Sequence, residues 1–158
     1  MIYKGDKLPS VTFQHKNGSD MNNLTTEDVF AGKKVVLFAV PGAFTPTCSE
    51  SHLPGFVASA DKIKEKGIDE IICTSVNDAF VLDAWGKALN AEHIMMIADG
   101  AADFAKALGL DADTGSFGGI RSRRYSMLVD DGIVKELNIE EPKQFEVSDA
   151  ETMLKQIG

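Results

Sequence analysis

The sequence predicts an α/β protein whose central sheet is mixed and flanked by helices. Three observations carry this: two apolar, β-rich runs, Val35–Val40 and Ile71–Val76; helical periodicity after each of them; and a hairpin signal, Asp130-Asp131-Gly132, in the last third.

Taken in order, Lys33-Lys34 introduces Val35-Val36-Leu37-Phe38-Ala39-Val40, which lacks alternation and suits a strand covered on both faces. Pro41-Gly42 ends it, and a helical pattern follows from about Pro46 to Lys66, closed by Gly67. Ile71 to Val76 is a second buried strand. Asn77-Asp78 can cap a helix through about Leu89, in which Phe80, Val81, Ala84, Trp85, Ala88 and Leu89 recur at helical spacing, so Trp85 reads as core. Ile94 to Ala98 reads as a short strand and Ala101 to Leu108 as a short helix. Tyr125 to Val129 and Ile133 to Leu137 flank the hairpin turn. Ser148-Asp149-Ala150-Glu151 has the capping-box form ahead of a terminal helix with Met153, Leu154 and Ile157. A βαβ half followed by a ββα half is the plan of a thioredoxin-like fold with an inserted αβα stretch. Gly109 to Gly119 is the one long irregular stretch and a candidate site wall.

The 158 residues suit one domain, 1–158, and no repeat or linker divides them. A formal charge of -8 opposes binding to nucleic acid or anionic lipid. The polar start and the absence of a long apolar run make a cytoplasmic protein the expectation. No glycine pattern supports nucleotide binding. The two cysteines, Cys48 and Cys73, form neither a CxxC nor a zinc pattern, and burial as packing residues is the plain reading of each.

Chemistry concentrates in Val40-Pro41-Gly42-Ala43-Phe44-Thr45-Pro46-Thr47-Cys48, which joins the first buried strand to a helix, at the sheet edge that favours ligand sites. With Thr45 as N-cap and Pro46 at the first helical position, Cys48 falls at the third, near unpaired amides and the positive end of the helix dipole. A thiolate is the anion offered there. Thiolate formation alone does not make an efficient enzyme, because donors must also stabilise the departing oxygen. The Thr45 hydroxyl can reach the sulfur or serve only as a cap. Arg121, Arg123 and Arg124 precede the hairpin strand, as a solvated face or as a source of cationic partners. His52, four residues after Cys48, raises a Cys/His or metal pair, both less favoured.

The run PGAFTPTCSESHLPGF resembles the peroxiredoxin 5, or type II, group of peroxiredoxins, with Pro41, Thr45 and Cys48 on the family's PxxxTxxC motif. The similarity extends through Ser75 to Trp85, Ile97 to Gly100, Ala107 to Leu110 and Arg121 to Gly132. It implies a peroxidatic Cys48, a Thr45 that hydrogen-bonds sulfur and peroxide, a Pro41 that shields the site, and a catalytic Arg124 directly before the strand. Backbone N–H groups around Thr47 and Cys48 would complete the donor set. No bound cofactor and no metal are implied. The substrate would be hydrogen peroxide or a small alkyl hydroperoxide, and the external reductant glutathione with glutaredoxin, or thioredoxin. Cys73 matches a position considered for a resolving cysteine, but mid-strand burial makes it a spectator in a one-cysteine cycle. Pro54 cannot donate to the Glu50 carbonyl, so the helix should be kinked or weakened there and the first turn able to unwind. The resemblance also implies a homodimer, with Phe44, Phe80 and Phe117 as contributors. A thiol-disulfide oxidoreductase, weakened by the missing CxxC, and a redox sensor are the competing classes.

Overall fold

The computed structural model describes residues 1–158. Seven strands form one mixed sheet in the order β2-β1-β5-β4-β3-β8-β9. They are β1 (Thr12–Asn17), β2 (Asp20–Thr25), β3 (Lys34–Ala39), β4 (Glu70–Ser75), β5 (Met95–Ala98), β8 (Tyr125–Asp130) and β9 (Ile133–Ile139). β3, β4 and β5 are parallel, whereas β8 runs antiparallel to β3 and β1 antiparallel to β5. The mixed sheet and thioredoxin-like plan read from the sequence are both present.

Successive residues of β3 serve opposite faces, which is why the strand shows no polar alternation. Val36, Phe38 and Val40 pack with α2 (Leu53–Glu65), α3 (Ala79–Ala88) and α5 (Ala150–Ile157). Val35, Leu37 and Ala39 join α1 (Thr26–Phe30) and α4 (Asp103–Leu108) on the other side. Trp85 is buried on the first face, as its spacing predicts, while Phe80 of the same helix is exposed.

Several local features differ from the sequence expectation. The N-terminal hairpin β1–β2, pairing Asn17 with Asp20 around Gly18, was not among the predicted elements, although Asn17-Gly18 is a turn signal. Gly109 to Gly119 is not wholly irregular, since β6 (Asp111–Asp113) pairs with β7 (Ile120–Ser122). The α5 cap is Asp149, which accepts from the Thr152 amide, because Ser148 is taken up by Glu140. The β8–β9 turn is as predicted, with Asp131 and Gly132 both at positive φ, the requirement of a type I′ hairpin.

Antiparallel pairing sets the position that matters most. Tyr125 pairs with Ala39, so the start of β8 lies at the same sheet end as the C-terminus of β3. Arg124 and Pro41, distant in sequence, are thereby neighbours in space.

Candidate active site

The chain leaves β3 through a tight loop. Phe44 sits at φ 65°, a left-handed conformation that a bulky residue seldom adopts, and Gly42 comes so close to Thr45 that a Cβ there would lie 3.2 Å from its Cγ2. The Asn77 side-chain oxygen accepts from the Ala43 amide and from the Ser75 hydroxyl, tying the loop to β4. Of the pair Asn77-Asp78, read as able to cap the next helix, Asp78 holds that role, with its carboxylate accepting from the Val81 amide. The Thr45 hydroxyl donates to the Gly42 carbonyl at 2.6 Å. No amide of the first turn donates to that hydroxyl, so Thr45 does not cap the helix through its side chain, although its carbonyl does accept the first helical bond, from Ser49. With its proton committed, the hydroxyl retains lone pairs to accept a hydrogen bond.

The helix begins at Pro46, as predicted, but its first stretch is wider than an α-helix. Cys48–His52 is a π-helical turn, in which the Leu53 amide donates to the Cys48 carbonyl five residues back. Pro54 follows at once, and its lack of an N–H removes the next bond an α-helix would need. The weakening expected at Pro54 thus takes the form of an inserted residue rather than a kink. Trp85 Nε1 donates to the Ser49 hydroxyl at 2.9 Å, linking the turn to α3. The amides of Thr47 and Cys48 have no hydrogen-bond partner within the chain, as befits a first turn.

Cys48 is fully buried, and Arg124 Nη2 donates to its Sγ at 3.1 Å. Arg124 Nη1 donates to His52 Nδ1 at 2.8 Å, and its guanidinium lies 5.8 Å from the centre of the Phe145 ring. His52 Nε2, at 2.9 Å, donates to the Ser148 carbonyl. Burial, then the Arg124 charge, lower the His52 pKa from the usual 6.5 to about 3, so the imidazole is neutral. Both ring nitrogens are engaged, and the Cys/His pair and metal readings lapse; no cluster of His, Cys, Asp and Glu is arranged to hold a metal ion. What sequence reasoning missed here is the role of His52 as a partner of Arg124. Its spacing from Cys48 was visible, but its partner, Arg124, lies 72 residues away.

A cleft of about 340 Å³ opens at this sheet end, lined by Pro41, Thr45, Thr47, Asn77, Phe117 and Arg124 among others. Phe117 belongs to the segment read as a site wall. Pro41, Thr47 and Arg124 also line a neighbouring cleft with Arg123, Glu140 and Lys143. Arg121 donates to the carbonyls of Gly118 and Val76, and Arg123 to that of Glu140, so both brace loops and neither contacts the sulfur. Cys73 lies in the same core cluster as Cys48 and pairs with Phe38, the last residue but one of β3. Burial, and then the neighbouring Cys48, push the Cys73 thiol well above its usual range. Both cysteines are free.

The Redoxin family matches residues 3–154. The chain belongs to the peroxiredoxins, in the type II or peroxiredoxin 5 group. This peroxiredoxin is 50% identical to the chloroplastic peroxiredoxin-2E of Arabidopsis thaliana, over 98% of its own length and 68% of the relative's. It is 48% identical to peroxiredoxin-2D of the same plant, covering 98% and 97%. Among solved structures, reduced Prx3 of Vibrio vulnificus in complex with hydrogen peroxide superposes with a TM-score of 0.98 at 57% identity, covering 100% of both chains. Peroxiredoxin 5 of Alvinella pompejana gives 0.87 at 38% identity, covering 99% of this chain and 98% of its own. The protein is accordingly a thiol peroxidase, which reduces hydroperoxides at the expense of an external thiol without a prosthetic group. No helix is long and apolar enough to cross a membrane.

Proposed function

We propose that Cys48 is the peroxidatic nucleophile and Arg124, Thr45 and Pro41 its partners in reducing hydrogen peroxide and small alkyl hydroperoxides. The observation that carries this is the 3.1 Å approach of the Arg124 guanidinium to the Cys48 sulfur. The thiolate attacks one peroxide oxygen, the O–O bond breaks, and the leaving alkoxide or hydroxide takes a proton to depart as alcohol or water. Cys48 becomes a sulfenic acid. Arg124 can follow the charge from sulfur to departing oxygen, while the unpaired Thr47 and Cys48 amides supply further donors. The Thr45 hydroxyl, its own proton on Gly42, accepts the peroxide O–H and orients it. Pro41, at the rim of both clefts, excludes water from the sulfur.

A reductant thiol then attacks the sulfenic sulfur, releasing water and leaving a mixed disulfide, and a second thiol frees Cys48. Burial of Cys73 as a protonated thiol supports a cycle without it. Arg121, Arg123 and Lys143 around the clefts suit a thiol that carries carboxylates, which favours glutathione with glutaredoxin over thioredoxin. Phe44, Phe80 and Phe117, between 58% and 86% exposed, suit a homodimer interface near the site; a monomer mass at micromolar concentration would count against it. We assign the protein to the cytoplasm, where two free thiols stay reduced.

The test is stoichiometric peroxide followed by sulfenic-acid trapping and peptide mass analysis, with and without glutathione. Modification of Cys48 alone, reversed by the thiol, is the expected result. Peroxide consumed with Cys48 unmodified would remove the assignment.

A further inference from the structure

The Arg124 fork is held by a chain of contacts reaching well beyond the cleft. Glu140, 3% exposed at the end of β9, accepts four hydrogen bonds on a single carboxylate oxygen: from the amides of Glu146, Val147 and Ser148 and from the Ser148 hydroxyl, at 2.7 to 2.9 Å. Its own amide donates to the Arg124 carbonyl at 3.0 Å. The turn gathered around this carboxylate presents the Ser148 carbonyl to His52 Nε2. A carbonyl can only accept, so the His52 proton is on Nε2 and Nδ1 is left as an acceptor. That acceptor faces Arg124 Nη1, while Nη2 of the same rigid fork reaches Cys48 Sγ.

We infer that His52 and Glu140 are positioning residues for the peroxidase reaction: Glu140 shapes the 146–148 turn, the turn sets the His52 tautomer, and His52 aims Arg124 at the reacting sulfur. Neither hydrogen-bonds to the Cys48 sulfur, which Arg124 reaches. A small tilt of the guanidinium is enough to lose directed hydrogen bonding, and misplacement by about 1 Å can cost about a hundredfold in rate. Phe145, its ring centre 4.9 Å from that of His52 and tilted against it, belongs to the same wall. The inference rests on the assignment of Cys48 and Arg124 above.

Asparagine at position 52 offers an oxygen where Nδ1 stands, whereas glutamine offers an amide nearer to Nε2 but no acceptor for Arg124. The second-order rate constant for hydrogen peroxide should therefore fall by about ten- to a hundredfold in His52→Gln and by less in His52→Asn. In both Glu140→Gln and His52→Gln, the pH profile of Cys48 alkylation should shift upward, because a mis-aimed cation stabilises the thiolate less. The deciding measurement is a double-variant cycle with Arg124→Met. If His52 acts through Arg124, His52→Gln costs nothing further in the Arg124→Met background. An equal loss in both backgrounds, or no loss with Arg124 intact, overturns the inference. Should Glu140→Gln fail to fold, the His52 cycle decides alone. Wild-type reactivity in Arg124→Met itself would instead remove the Arg124 assignment.

Discussion

Lowering the pH from about 7 to about 5 should cost this protein roughly 2 kcal/mol of folding stability through His52 alone. The folded state keeps the imidazole neutral down to about pH 3, whereas the unfolded chain protonates it near 6.5. Between those values the unfolded state binds the extra proton. Stability is therefore fully present above about 6.5 and falls by about 1.4 kcal/mol per pH unit until the folded imidazole also titrates. Arg124 faces the ring and opposes its protonation; Glu140 and Asp149 favour it but are outweighed by burial and the guanidinium. Denaturant unfolding of wild type and His52→Asn at matched pH isolates the effect, since only the pH dependence of their difference counts. Wild type should lose its advantage, or increase its deficit, by roughly 2 kcal/mol across the window. Parallel curves would refute a neutral buried His52.

Thr45→Val, which keeps Cγ2 beside Gly42 but removes the hydroxyl, should lower the peroxide rate constant by about a hundredfold while the lost bond to Gly42 costs only about 1 kcal/mol of stability, and Thr45→Ser should restore most of the rate. Cys73→Ala should leave turnover with glutathione intact while costing about 1 kcal/mol of stability by denaturant titration; lost turnover in a folded variant would make Cys73 a resolving residue. Oxidation of Cys48 should unwind the π-helical turn and break the Trp85–Ser49 bond, so the fluorescence of the single tryptophan should change with peroxide and not in Cys48→Ser. Pro54→Ala restores an amide to the helix and should slow that fluorescence phase severalfold; unchanged kinetics would separate the turn's opening from the proline.

Much of the architecture was legible because it depends on short-range signals. β3 and β4 announced burial on both faces through unbroken apolar runs, and the β8–β9 turn followed from Asp131-Gly132. The N-terminal hairpin was less legible, since β2 is largely exposed and carries little hydrophobic pattern. Ser148 shows how a local rule is overridden: its position fits a capping box, yet a buried carboxylate from β9 claims both its amide and its hydroxyl. Thr45 is a similar case, its hydroxyl turned to the Gly42 carbonyl while no first-turn amide donates to it.

By itself the sequence determined the order of elements, the strand-to-helix junction that holds Cys48, and, through the PxxxTxxC resemblance, the chemistry expected there. The resemblance singled out Arg124 among the three arginines, but only the tertiary structure decided what holds it against the sulfur. Residues 48, 52, 124, 140 and 148 meet because β8 returns antiparallel to β3 and β9 carries Glu140 back beside Arg124. Hydrogen bonds between groups so far apart leave no periodicity in the chain, since their geometry is set by sheet register and burial rather than by spacing.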